Sequence, residues 1–261
     1  MNQTFFQLRT YITYWLNAVD AHSLHSPFFF DLYTNVIRQQ SSDQRLNNIE
    51  AYRKELLANE EVLVIEDLGS GSRHFESTSR KIRSIAQSSL SPEKFSLLYR
   101  RLINYFNAKY ILELGTSLGI TTLYLGWQTD TVINTFEGSP SLIRIAQQLF
   151  DRAGFVNNTI TAGNIDDTLP NVLSGMHSVD FALLDANHLH VPTLRYFEAI
   201  SAKVQDRSVV VVDDIHYSRE MERAWREIKL HPKVYATADL YRCGLVFFDP
   251  SLAKQHFVLQ F

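Results

Sequence analysis

The sequence predicts an α/β fold: a doubly wound, mostly parallel sheet of seven strands with an N-terminal helical extension. Three observations carry this expectation. From Tyr110 onward, short β-rich runs alternate with segments of helical periodicity, the pattern of βαβ units. The first run, Tyr110-Ile111-Leu112-Glu113-Leu114, passes through Gly115 and Gly119 into a helical pattern, which reads as strand, glycine turn and helix. Four of these runs end in acids, at Glu113, Glu137, Asp185 and the pair Asp213-Asp214. Ligands of open α/β sheets lie outside the carboxyl ends of the strands, so acids recurring there point to a site as well as to solubility.

The individual elements follow in order. Phe5, Leu8, Ile12, Trp15, Leu16 and Val19 form an apolar stripe at helical spacing, expected to pack on its own domain. Ser26-Pro27 reads as an N-cap and first helical position. Residues 41–60 read as a helix with an exposed face. The run 61–72 is an apolar stretch with an acid and a glycine pair, but no second acid-ended strand follows it. It is read as a glycine loop that closes over a site. Ser91-Pro92-Glu93 opens a helix facing inward through Phe95, Leu98, Leu102 and Ile103.

After the helix from Thr121 comes a strand at Val132–Glu137, then a helix from Ser139-Pro140 with Leu142, Ile145, Ala146, Leu149 and Phe150 on one face. Strands are predicted at Asn158–Ala162, Val179–Leu184 and Ser208–Val212. Ser218 caps a helix with Met221, Ala224, Trp225 and Ile228 together. Val234–Tyr241 and Leu245–Phe248 are expected to close the sheet as an antiparallel pair. Residues 1–90 are thus read as an extension that caps an acceptor pocket, and 91–261 as the main domain.

Composition narrows the classes. At 45% hydrophobic and 20% charged residues the chain is ordinary for a globular protein. The net charge of −3 with no long basic run disfavours nucleic acid as a partner. Cys243 is the only cysteine, so neither an internal disulfide nor a cysteine metal cluster is expected. No stretch approaches the ~20 apolar residues of a membrane span, and no basic start leads into an apolar signal core. A cytoplasmic protein that does not enter the membrane is expected; its oligomeric state, including a homo-oligomer, is left open.

The motif spacing adds chemistry. Glu137 lies twenty-two residues after Gly115, and an acid about 20 residues past the first glycine of a nucleotide-binding βαβ unit reaches ribose hydroxyls. The GxxxG spacing of Gly115 and Gly119, instead of GxGxxG, argues against a pyrophosphate cradle and so against NAD or FAD. Glu113-Leu114-Gly115-Thr116-Ser117-Leu118-Gly119, followed by Phe136-Glu137-Gly138-Ser139-Pro140, resembles the first two motifs of class I S-adenosylmethionine-dependent methyltransferases. The likeness is strongest to the catechol and caffeoyl-CoA O-methyltransferase group and covers roughly residues 91–248.

That resemblance implies a Rossmann-like fold and S-adenosylmethionine as cofactor, with roles for particular residues. Glu113, Gly115, Thr116, Ser117, Gly119 and Thr121 would form the loop for the methionine part. Glu137 would clamp the ribose, followed by Gly138 and Ser139. Gly163, Asn164, Ile165 and Asp166 would line the adenine. Asp185 would touch the cofactor or take part in catalysis, and His188 occupies the position of the family's catalytic lysine. A histidine with an ordinary pKa near ~6.5 is a credible general base. The resemblance also puts Mg²⁺ or another divalent cation on Asp185, Asp213 and Asp214, although this chain has Asp214 where the family has asparagine. Adjacent strand residues point to opposite faces, so Asp213 and Asp214 reach one ion only if the strand has ended. The expected reaction is methyl transfer to an oxygen of a small-molecule acceptor. The alternatives are methylation of nitrogen or of a macromolecule, or a non-catalytic module that binds S-adenosylmethionine.

Overall fold

A computed structural model describes residues 3–39, 46–67, 76–127 and 130–261. The fold is the doubly wound α/β class that the sequence predicts, with a mostly parallel sheet and flanking helices. The sheet has eight strands among the described residues, one more than expected, and a further pair forms a separate hairpin. The chain divides into two compact units, Ser41–Gly175 and a second made of Met1–Gln40 with Met176–Phe261. This division by contacts differs from the division at residue 90 read from motif positions.

In the unit Ser41–Gly175, α3 (Asn47–Ala58) precedes a two-stranded antiparallel hairpin of β1 (Val62–Asp67) and β2 (Glu76–Lys81). Gly69-Ser70-Gly71, read as a closing loop, lies outside the described residues. The strand β2 is so rich in Ser, Arg and Lys that no strand is expected from its sequence. Then come α4 (Ile82–Ser89), α5 (Glu93–Phe106), β3 (Tyr110–Leu114), α6 (Ile120–Gly126), β4 (Val132–Glu137), α7 (Pro140–Ala153), β5 (Asn158–Ala162) and α8 (Ile165–Gly175). Strands β3, β4 and β5 are parallel neighbours in that order. Leu142, Ile145, Ala146, Leu149 and Phe150 of α7 are buried, as their spacing predicts.

The second unit opens with α1 (Gln3–Asn17) and α2 (Pro27–Leu32), the latter followed by a π-helical turn, Tyr33–Ile37. After residue 176 come β6 (Val179–Leu184), α9 (His190–Ser201), β7 (Val204–Val212), α10 (Arg219–Lys229), β8 (Ala236–Asp239), β9 (Gly244–Phe247) and β10 (Gln255–Val258). Their order is β10-β8-β9-β7-β6, with β6 and β7 parallel and β9 antiparallel to both β7 and β8. Val209 to Val212 are fully buried, the continuous apolar run expected of a strand covered on both faces. Ser218 caps α10, accepting from the Met221 N–H at 3.2 Å, and Met221, Ala224, Trp225 and Ile228 are buried together.

The α1 stripe is a correction. Phe5, Leu8, Ile12, Trp15 and Leu16 stay exposed, Trp15 at 67%. The helix docks instead through the face carrying Gln7, Thr10 and Tyr14. The side-chain amide of Gln7 donates to the Tyr217 carbonyl at 3.1 Å, the Tyr14 hydroxyl to the Leu259 carbonyl at 2.6 Å, and the Tyr241 hydroxyl to the Gln7 carbonyl at 3.0 Å. Phe6 is buried on the docked side and the Tyr14 ring packs on Tyr241 with centroids 5.3 Å apart, so ring contact and bonds to fixed backbone carbonyls together hold the helix. Among the described residues no helix is long and apolar enough to cross a membrane.

Candidate functional site

In the unit Ser41–Gly175, three strand ends meet at one loop. Gly115 (φ +108) and Gly119 (φ +83) both adopt left-handed backbone that glycine tolerates best. A Cβ on Gly119 would lie 2.8 Å from the Phe150 ring and 3.3 Å from the Ala146 Cβ. The second glycine therefore admits helix α7 against the start of α6. Between the glycines, Ser117 is also left-handed (φ +49), a cost that persists only where the surroundings impose it.

Glu137 is what imposes it. One carboxylate oxygen accepts the Ser117 N–H at 2.8 Å and the other accepts the Ser139 N–H at 2.9 Å. The Glu137 carbonyl takes the Gly163 N–H at 3.0 Å, drawing in the turn after β5. Ser139 does not cap α7 with its side chain; its hydroxyl is buried with no hydrogen-bond partner among the described residues. Gly138 lies between the two. Asn164 accepts the Asp166 N–H on its side chain at 2.9 Å, so it shapes the start of α8 before Ile165, while Asp166 points to solvent. The residues fit a cofactor that carries hydroxyls: a fixed carboxylate, an orphaned buried hydroxyl beside it, and a left-handed loop opposite.

Glu113 and Thr116 are placed differently from the expectation. Glu113 is fully buried. One oxygen accepts from the Thr122 hydroxyl at 2.5 Å and from the Thr135 hydroxyl at 2.7 Å, and the other has no partner among the described residues. Thr116 turns its hydroxyl inward to Thr135 at 2.6 Å, and Thr121 is buried in α6. Burial raises the Glu113 carboxyl to about 7, against the two threonine hydrogen bonds that lower it and with the help of the nearby Glu137 charge. These side chains brace the loop from beneath. The sequence also gave no hint of Ser89, whose hydroxyl lies 2.9 Å from that of Ser117. A segment assigned to the extension thus touches the loop after β3.

In the second unit, the ends of β6 and β7 gather acids around a histidine. Strand β7 ends at Val212 and Asp214 is left-handed (φ +54), so the turn frees Asp213 and Asp214 from strand alternation. His188 Nε2 is 3.5 Å from Asp185 Oδ1, and its Nδ1 is 4.0 Å from Asp214 Oδ2. Asn187 and His188 are both left-handed (φ +64 and +40), the mark of a loop held away from relaxed geometry. Asp213 is fully buried and is met by Arg242, whose Nη2 and Nε donate to Asp213 Oδ2 at 2.8 and 3.2 Å. Burial and the neighbouring Asp213 raise the Asp214 carboxyl, with Arg242 and His188 opposing. Burial would lower the Arg242 guanidinium, yet Asp213, Asp214 and Asp185 together hold it above its usual value.

This set does not fit the divalent cation. Among the described residues no three His, Cys, Asp or Glu side chains are grouped to hold a metal, and Asp213 is already bound by a guanidinium. Arg242, in the turn between β8 and β9, is a site residue the sequence reading missed; only the antiparallel return of β9 beside β7 brings it there. A separate cavity of about 210 Å³ lies within the same unit, lined by Phe6, Arg9, Tyr14, His216 and Asp239. His216 Nε2 sits 2.8 Å from Asp239 Oδ2.

Residues 112–215 match the family model of a methyltransferase domain. No curated protein matches the chain. Among solved structures, an O-methyltransferase from Bacillus cereus in complex with SAH is 16% identical with a TM-score of 0.57, over 80% of this chain and 93% of that one. A Staphylococcus aureus protein assigned as a caffeoyl-CoA O-methyltransferase is 20% identical with a TM-score of 0.54, over 63% and 88%. An O-methyltransferase of Streptomyces achromogenes involved in tomaymycin synthesis, in complex with SAM, is 18% identical with a TM-score of 0.53, over 80% and 99%. The match to the methyltransferase-domain model thus spans Leu112 to Ile215, and the fold is one that these O-methyltransferases share.

Proposed function

We propose that the protein transfers a methyl group from S-adenosylmethionine to an oxygen of a small-molecule acceptor. The observation that carries this is Glu137, whose two carboxylate oxygens tie the loop after β3 to the start of α7. A carboxylate fixed at a strand end, beside the buried hydroxyl of Ser139, suits the two hydroxyls of a ribose. Gly115, Ser117 and Gly119 would receive the methionine part, and Gly163, Asn164, Ile165 and Asp166 the base.

The bound cofactor supplies an electrophilic methyl group on a sulfonium, and the acceptor oxygen must lose its proton as it attacks. His188 is the residue for that proton. Its ring lies 3.5 Å from Asp185 Oδ1 and 4.0 Å from Asp214 Oδ2, within reach of two acids that can orient it. Its left-handed backbone fixes the ring's approach. Helix α1, whose Phe6, Arg9 and Tyr14 border the cavity near His216, would shape the acceptor's environment, in keeping with the expectation for the N-terminal extension.

The test begins with calorimetry of S-adenosylmethionine and its demethylated product on the whole chain, followed by a screen of hydroxylated small molecules for methylated products by mass spectrometry. One cofactor site per chain with a methylated oxygen among the products supports the proposal. Absence of cofactor binding by folded protein overturns it; binding with products methylated only on nitrogen replaces the acceptor class.

A further inference from the structure

We infer that Arg242 is the resident cation of the Asp185–Asp213–Asp214 cluster, so that these carboxylates work without a divalent metal. The inference starts from charge. Three carboxylates gathered at the ends of β6 and β7 repel one another, and a fully buried one such as Asp213 is sustained only with a partner. A metal ion is one such partner, and Arg242 is another, already in place. Its Nε and Nη2 both point at Asp213 Oδ2, within hydrogen-bond distance, and its charge also acts on Asp214 and Asp185.

The backbone around Arg242 is built to present it. Leu240 N–H donates to the Cys243 carbonyl at 2.9 Å, Arg242 N–H to the Leu240 carbonyl at 2.9 Å, and Tyr241 N–H to Asp239 Oδ1 at 2.8 Å. Tyr241 takes a left-handed conformation (φ +67) within this tight turn. The Ile215 N–H donates to the Arg242 carbonyl at 3.1 Å, locking the turn to the residue that follows Asp214. To admit an ion at Asp213, the guanidinium would have to give up its own two hydrogen bonds to Oδ2.

The chain's own sequence agrees with this arrangement. Asp214 adds a second negative charge next to Asp213, and Arg242 supplies a positive charge that both act on. A hard, strongly hydrated ion would have to displace a guanidinium that is hydrogen-bonded to its carboxylate.

The experiment is a titration of the whole protein with Mn²⁺ followed by electron paramagnetic resonance, which reads free ion and needs no acceptor, cofactor or turnover. The wild-type chain is expected to leave millimolar Mn²⁺ unbound, and saturation at one Mn²⁺ per chain, lost in Asp185→Asn, overturns the inference. Thermal melting of Arg242→Met and Arg242→Lys forms the second arm. Loss of several degrees, or failure to fold, in Arg242→Met with partial rescue by Arg242→Lys supports a charge-compensating role. A folded Arg242→Met with the wild-type melting temperature overturns it.

Discussion

Glu137 holds Ser117 across twenty residues of sequence, accepting its backbone N–H at 2.8 Å while Ser117 sits in a left-handed conformation. The bond converts an acid at the end of one strand into the brace of the loop that follows another. Whatever binds at this loop therefore feels Glu137 twice, through direct contact and through the loop's shape.

Glu137→Ala should consequently weaken S-adenosylmethionine by roughly ten- to a hundredfold, since hydrogen bonds to a charged group are worth about 1.5–3 kcal/mol. Calorimetry on folded variant protein reads this directly. Unchanged affinity would remove the cofactor assignment from this loop.

Glu113 makes a pH prediction whose sign follows from burial. Its carboxyl is raised to about 7 in the folded protein from an ordinary 4.5, so between those values the native state keeps a proton that the unfolded chain releases. Its contribution is complete below the lower value and is lost as pH rises through the upper one, by as much as about 3 kcal/mol. Urea denaturation at several pH values should give a flatter pH dependence from 5 to 8 for Glu113→Gln than for wild type. Parallel curves would refute the burial account.

Gly119→Ala tests the packing beneath the loop. The substitution places a methyl group 2.8 Å from the Phe150 ring and puts alanine at φ +83. Both effects destabilise, by about 1–3 kcal/mol for overpacking of this kind. Chemical denaturation provides the measurement, and a variant as stable as wild type would mean α7 can retreat without cost.

For His188→Ala the expected signature is a split: cofactor affinity retained and turnover lowered by roughly 10²–10⁴-fold, the range for removal of a general base. Once an acceptor is in hand, steady-state kinetics beside calorimetry separates the two. Full turnover in the variant would transfer the proton-accepting role elsewhere, with His216 and its Asp239 partner the next residue to alter.

The sequence by itself determined the repeating architecture, because hydrophobic periodicity is local. The strands at Asn158–Ala162 and Val179–Leu184 are found where their residues place them, as is the buried face of α10. It also determined that acids stand at the strand ends, since Glu137, Asp185, Asp213 and Asp214 each follow an apolar run. What each acid does was decided by tertiary structure. Glu113 and Glu137 both lie near the ends of their strands, yet the pairing of β3 with β4 sets Thr135 beside Glu113 and buries it, while Glu137 receives the N–H of Ser117 from the loop after β3 and that of its near neighbour Ser139. The polar strand β2, the docking face of α1, Ser89 at the loop and Arg242 at Asp213 were likewise hidden. Each depends on a partner supplied from elsewhere in the chain. A hydrogen bond or ion pair leaves no periodic trace in sequence, because its strength comes from distance in space and from exclusion of water, and folding alone sets both.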